Sequence, residues 1–428
     1  MKNFYKFFLN PISAILTIYI IYKSEFVWYG SRRDYYFNYF IFSSSLFIVS
    51  LIVIFLSENF KIYFLIILIS TIITLYTYEA YLIKNYTWKN LYKRIEYYEK
   101  NTGKKFDNRK RLEIYNDLKN LNLNTSIIVP PKEYLNLKLK IFPFSGISNS
   151  QTIHGNESGY YSIYKSDRYG FNNPDYEWIK NNDYILIGDS YTHGAYVNRP
   201  NDIASKLRHF SKKSVLNLGY SGTGPLIQLG TMREYLPKKS KNVIWLFYEG
   251  NDLIELNREL NSSFLNKYLI DKKFKQNLIL KQSKINKITQ ETITKSEDKL
   301  NKNSKLKSFY RFITINLTRK TLFNNKYPLK DFKKIVSLAK EFAKKNNSNF
   351  YFVYLPEFDR YKIKNYQNYQ KNEVKKIIEE LNIDFIDVDK EVFLIENSPL
   401  KLFPFESRGH YNELGYEKVA ELIFNKVK

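Results

Sequence analysis

The 428-residue chain has no cysteine. That excludes disulfides, thiolate catalysis and cysteine metal sites, and leaves the compartment open. It has four histidines, so a general base has few candidates. No phosphate-binding glycine loop occurs. No dinucleotide-binding glycine pattern with its acidic partner occurs, nor paired histidines at metal spacing. No cofactor or metal is expected. Acidic residues are also short, 42 Asp and Glu against 67 Lys and Arg, for a net charge of +25. Such charge raises nucleic acid or an anionic membrane surface as partners. It is diffuse except in Arg258–Lys320, which holds 16 Lys or Arg against 5 Asp or Glu. No nucleic-acid-binding signature accompanies that stretch, so it reads as a solvated, lysine-rich insertion or a lid, and no nucleic acid is expected as a partner.

Three apolar stretches open the chain: Phe4–Tyr22, Phe37–Ser57 and Ile62–Ile83. Each approaches the length of ~20 residues that crosses a hydrocarbon core as helix. Residues 1–86 are therefore expected to be a transmembrane segment of three helices, with two as the fallback. Pro11 and Lys6 weaken the first, while Lys23, Glu25, Trp28 and Tyr29 after it resemble an interfacial belt. With the N-terminus inside, Lys2, Lys6 and Lys61 flank the inner side. Lys23, Arg32, Arg33, Lys84, Lys89, Lys93 and Arg94 then flank the outer side. Loop charge alone leans toward an inside catalytic domain. Residues 87–178 read as a linker helix, near Trp88–Lys100, followed by a small region of strands and turns. His154, Glu157, Asp167 and Arg168 lie in that region and read as turn chemistry and a surface ion pair.

Residues 179–428 alternate strand and helix. Strands are expected at Tyr184–Ile187, Ser214–Leu218, Asn242–Tyr248, Asn349–Leu355 and Asp384–Val388. Helices are expected around Arg199–Phe210, up to Tyr235, at Lys330–Lys345, at Gln370–Leu381 and from Asn412. Such alternation predicts a parallel sheet with right-handed crossovers. Three successive strands then end in Gly188-Asp189-Ser190, in Gly219–Gly224 and in Gly250-Asn251-Asp252. In a parallel sheet those ends share one edge. A loop before the last helix adds Gly409-His410-Tyr411-Asn412. A hydroxyl, an imidazole and free N–H donors around one point are what acyl transfer requires.

These four blocks resemble, in order, those of the SGNH superfamily, also called the GDSL hydrolases. The resemblance covers Asp183–Lys428. It implies a three-layer α/β fold with a five-stranded parallel sheet, preceded here by the N-terminal transmembrane segment. It implies Ser190 as nucleophile and His410 as base. The oxyanion donors would be the N–H groups of Ser190 and Gly222 and the side chain of Asn251. The family's aspartate before the histidine is missing: Ser407 and Arg408 stand there, and Glu406 is the nearest acid. Either Glu406 reaches His410 on an altered loop, or a backbone carbonyl leaves a Ser–His dyad, or activity is reduced. Arg408 would disfavour the imidazolium if close to it.

The resemblance implies a membrane-anchored serine esterase or O-acyltransferase. Its substrate would be an acyl ester of a cell-envelope glycan, with O-acetyl groups first, or of a lipid. The domain would face the periplasm or exterior of a bacterial inner membrane. A degenerate scaffold that binds a glycan or a membrane partner is the rival reading. Oligomeric state is left open.

Overall fold

Parallel strands covered on both faces are apolar almost throughout, and the five central runs of this chain have that character. In a computed structural model they form β4 (Asn182–Gly188), β5 (Val215–Asn217), β6 (Ser240–Tyr248), β7 (Asn349–Leu355) and β8 (Asp384–Asp387). Before them come β1 (Thr125–Ile127), β2 (Gln151–Gly155) and β3 (Ser162–Lys165). The structure describes residues 9–27, 30, 33–84, 89–121, 123–322, 327–364, 366 and 370–427.

The five-stranded sheet has the order β5-β4-β6-β7-β8, with every pair parallel. Alternate residues serve opposite faces. Ile185, Ile187, Val243, Trp245, Phe247 and Phe352 enter one core. Tyr184, Leu186, Ile244, Leu246, Val353 and Leu355 enter the other. The helices Pro225–Tyr235, Leu329–Lys345 and Gln370–Glu380 supply side chains to the first core. Ile203–Ser211 and Glu413–Lys426 supply the second. The result is the expected three-layer α/β architecture. After β4 the chain runs to one side for β5 and crosses to the other for β6. That reversal opens a crevice at the C-terminal ends of the strands, where ligands bind in open α/β sheets.

The three small strands form their own sheet, β1 parallel and β3 antiparallel to β2. Their surroundings merge with the first core through Ile128, Phe142, Phe144, Ile153 and Phe171. As far as Ile293, the basic insertion does not stand free as a solvated lobe. Leu265, Tyr268, Leu278, Ile285 and Ile293 are buried in that same core. On its helix Gln282–Ile313, Lys284, Lys287 and Lys295 are exposed while Ile285 and Ile293 are buried.

The chain divides into two units: residues 91–302 with 327–428, and residues 1–90 with 303–326. In the smaller unit, Tyr36–Ile54 (19 residues, mean hydropathy 2.1) and Glu58–Ile83 (26 residues, 1.9) are long and apolar enough to cross a membrane. The third expected span begins in residues outside those described. Its described part is the 12-residue helix Asn10–Ile21. Trp28 and Tyr29 of the expected belt also lie outside the described residues. Ile66, Ile67 and Ile73 point outward, while Ser13, Ser50 and Glu79 are buried. Glu79 accepts from the backbone N–H groups of Leu317 and Thr318 and from the Thr318 hydroxyl, which satisfies a carboxylate in an apolar helix.

Candidate active site

Ser190 sits at the turn out of β4. Asp189 caps the short helix Ser190–His193 by accepting the Tyr191 N–H at 2.9 Å. The loop after β5 is pinned beside it: the Tyr220 N–H and the Thr223 hydroxyl both donate to the Gly188 carbonyl, each at 3.2 Å. Gly222 in that loop has φ +75°, and a Cβ there would lie 2.6 Å from Pro130 Cβ. Only glycine fits this conformation and this approach. Asn251 caps the helix that follows β6, and its Oδ1 is buried without a partner. The three candidate donor positions thus stand on neighbouring turns at one sheet edge.

His410 arrives on the loop before the last helix. Asn412 fixes that loop by accepting the Gly415 N–H at 2.9 Å and donating to the Lys401 carbonyl at 2.7 Å. The imidazole lies between Tyr191 and Tyr196, with ring centroids 4.5 and 4.7 Å away. Its Nε2 is 2.8 Å from Ser190 Oγ. Its Nδ1 is 3.0 Å from Oε2 of Glu157, which also accepts the His410 backbone N–H at 2.8 Å. With Nδ1–H donated to a carboxylate, Nε2 is left to accept the serine proton.

Glu157 takes the place for which Glu406 was the candidate. Glu406 is exposed, on a turn where Phe405 and Glu406 have φ +55° and +48°. That turn carries it away from Nδ1. Glu157 instead projects from the turn between β2 and β3. Asn156 shapes the turn by donating to the Asp107 carbonyl and accepting the Gly159 N–H. Arg408 pairs with Asp359. Of the other early-region residues, Arg168 pairs with Asp175 at 2.6 Å, as a surface ion pair. Asp167 is buried and accepts from Tyr169, Phe171, Asn173 and Trp178.

Burial alone would raise the Glu157 carboxyl, but the charge and N–H groups of His410, and the charge of Arg94, hold it below the ordinary carboxylate value. It stays ionised and can stabilise an imidazolium. Behind Ser190, burial pushes up the carboxyls of Asp189 and Asp252, and Asp189 adds repulsion at Asp252. His193, at the end of the short helix after β4, and His154, in β2, are both buried beside the loop. His154 Nε2 lies 2.7 Å from Ser221 Oγ, and His193 Nδ1 is 3.4 Å from the Gly219 carbonyl. Burial drives His193 down to about 3 and His154 well below its usual value, so both are neutral struts of the loop. His209 is exposed. Among the described residues no cluster of His, Asp and Glu could hold a metal ion.

No family model matches this chain, and no curated protein matches it. Among solved structures it is similar to a protein assigned to the lipolytic G-D-S-L family from Desulfitobacterium hafniense DCB-2. That match has 15% identity and TM-score 0.32, over 57% of this chain and 99% of the other. It is similar to a Bacillus subtilis protein at 12% identity and TM-score 0.33, covering 58% of this chain and 56% of that one. A third is the psychrotrophic esterase EstA from Pseudoalteromonas, inhibited by monoethylphosphonate in its structure. It matches at 12% identity and TM-score 0.27, over 57% and 96%. Likeness at this level leaves the chemistry to be read from the side chains.

Proposed function

We propose that the chain is a membrane-anchored serine esterase or O-acyltransferase. The observation that carries this reading is the unbroken relay from Ser190 Oγ through His410 to Glu157. In the reaction, His410 Nε2 takes the Ser190 proton as Oγ attacks an ester carbonyl. Glu157 orients the ring and stabilises its cationic form. The N–H groups of Ser190 and Gly222 and the Asn251 amide receive the oxyanion. Collapse passes the proton from His410 to the departing alcohol and leaves an acyl-serine. Water or a sugar hydroxyl, deprotonated by His410, then takes the acyl group and frees the serine.

The two apolar helices support a membrane anchor. Together with the resemblance of the four blocks, they favour O-acetyl groups of an envelope glycan as substrate; such a substrate would put the catalytic unit on the outer side of a bacterial inner membrane, against the inward lean of the loop charge. A lipid ester follows, favoured by the bilayer. The degenerate scaffold drew its support from the missing acid before His410, and the Glu157 contact removes that support.

The test is mass spectrometry of the full-length protein in detergent after exposure to a fluorophosphonate. An adduct on Ser190 is expected, absent in His410→Ala. A folded sample that takes no adduct would refute the reading. Acetate release from an O-acetylated glycan, compared with a short-chain lipid ester, then separates the two substrate classes.

A further inference from the structure

The far end of the basic insertion returns to the apolar helices: residues 303–326 form one unit with residues 1–90. The Tyr76 hydroxyl donates to the Ile313 carbonyl at 2.8 Å, and the Tyr76 and Phe312 rings lie 5.3 Å apart. Glu79 accepts the N–H groups of Leu317 and Thr318. Tyr76 and Glu79 stand seven and four residues before the end of the helix Glu58–Ile83. These contacts are therefore about 10 and about 6 Å from that end along the axis. The 26-residue helix measures about 39 Å, against about 30 Å of hydrocarbon in a bilayer. The end that carries Tyr76, Tyr78 and Tyr81 thus reaches the headgroup level, where tyrosine collects.

The last turn of the helix Gln282–Ile313 leaves its apolar side chains open. At about 100° per residue, Phe312, Phe309, Ile313 and Tyr310 follow one another round one side, and Arg311 falls opposite Ile313. Phe312 packs on Tyr76, while Phe309, Tyr310 and Ile313 are 61%, 68% and 47% exposed. Arg311 is exposed too. Ile69, Ile72 and Ile73 are exposed one and two turns before Tyr76, on its own face of the helix Glu58–Ile83. The open side of Phe309–Ile313 joins that surface through the Phe312–Tyr76 contact. The sequence Asn303–Lys320 holds five Lys or Arg and no Asp or Glu. An apolar arc with basic residues on the other side suits an anionic membrane surface.

We infer that Phe309, Tyr310 and Ile313 dip into the lipid surface and that Arg311 takes an anionic headgroup. The basic insertion then makes a second membrane contact, beside the spanning helices. This rests on the membrane-anchor reading.

The absence of cysteine lets single probes be placed without background. Full-length protein labelled with a fluorophore at Phe309→Cys, Ile313→Cys, Ile67→Cys or Lys284→Cys is reconstituted in phosphatidylcholine vesicles with or without phosphatidylglycerol, and quenched by nitroxide-labelled lipid. Quenching at Phe309 and Ile313 should approach that at Ile67, inside a spanning helix, and far exceed that at Lys284, exposed in the larger unit. Arg311→Gln should weaken quenching at Phe309, by up to about fivefold in the bound-to-free ratio for one charge at an anionic surface, and leave Ile67 unchanged. Removing phosphatidylglycerol should act in the same direction. Strong quenching at Ile67 with Phe309 and Ile313 left in water would overturn the inference and keep the anchor. No quenching at Ile67, in protein that does not enter vesicles, would defeat both. Equal quenching with and without phosphatidylglycerol would overturn the headgroup contact. Probes shielded from lipid and water alike, with Phe309→Cys chains linking in pairs, would mean that a second copy covers this face, and would overturn the inference as well.

Discussion

Two turns each carry a glutamate into the neighbourhood of the last helix, and they behave in opposite ways. The turn at Phe405–Glu406 belongs to the same loop as His410, four residues away, yet its left-handed backbone sends Glu406 to solvent. The turn between β2 and β3 lies 253 residues away in sequence, and Glu157 there meets both N–H groups of His410. Phe405 spends its strained backbone on packing against Tyr97, Tyr98 and Phe106. One turn holds the loop in place, and the other supplies the charge. The orienting carboxylate is thus supplied by the region that precedes the α/β unit, so that region is part of the candidate catalytic machinery rather than a spacer.

Several variants sharpen this contrast. The largest effect belongs to the relay itself: Ser190→Ala or His410→Ala should each lower esterase kcat by up to about a millionfold, to background, as for triad members elsewhere. Glu157→Gln keeps the shape and removes the charge, and kcat should fall roughly 100- to 10,000-fold. Glu406→Gln should change it less than about threefold, within the small effects usual at exposed positions. Asn251→Ala, at the oxyanion edge, should cost roughly 100- to 1000-fold in kcat with KM little altered.

The smallest effect is on stability and concerns a glutamate with a purely internal task. Glu259 accepts the N–H groups of Gly224, Leu226 and Ile227 at the start of a helix. Burial pushes its carboxyl from 4.5 up to about 8. The folded value lies above the unfolded one, so the folded chain keeps a proton that the unfolded chain loses. Its contribution is therefore full below the unfolded value and lost as pH rises through the folded one. Thermal unfolding in detergent should show Tm declining from pH ~5 to ~8, with a shallower decline in Glu259→Gln. Equal slopes in the two proteins would contradict this.

The ease of reading differed sharply between regions. All five strands of the main sheet fall within a few residues of their expected bounds. Strands buried on both faces leave continuous apolar runs, and Gly or Pro closes several of them. Ser190 and His410 could be paired across 220 residues because both sit at ends of elements that a parallel sheet gathers on one edge. The three-residue β1 has too little pattern to show itself. The insertion misled through averaging: its lysines dominate the count, while Ile285 and Ile293, spaced along one helix face, go to the core. Glu157 sits in Gly-Asn-Glu-Ser-Gly, which locally says turn and nothing more. Its partner is set by how the β2–β3 hairpin packs on the α/β unit, and the nearest acid along the chain was a poor guide to the nearest acid in space.

The central claim is that Glu157, not Glu406, completes the relay. The most direct measurement is the rate at which Ser190 is phosphonylated in full-length wild type, Glu157→Gln and Glu406→Gln, followed by intact-protein mass spectrometry across a pH series. The account predicts strong slowing in Glu157→Gln and a rate near wild type in Glu406→Gln. Slowing confined to Glu406→Gln, or equal rates in all three folded proteins, would contradict it.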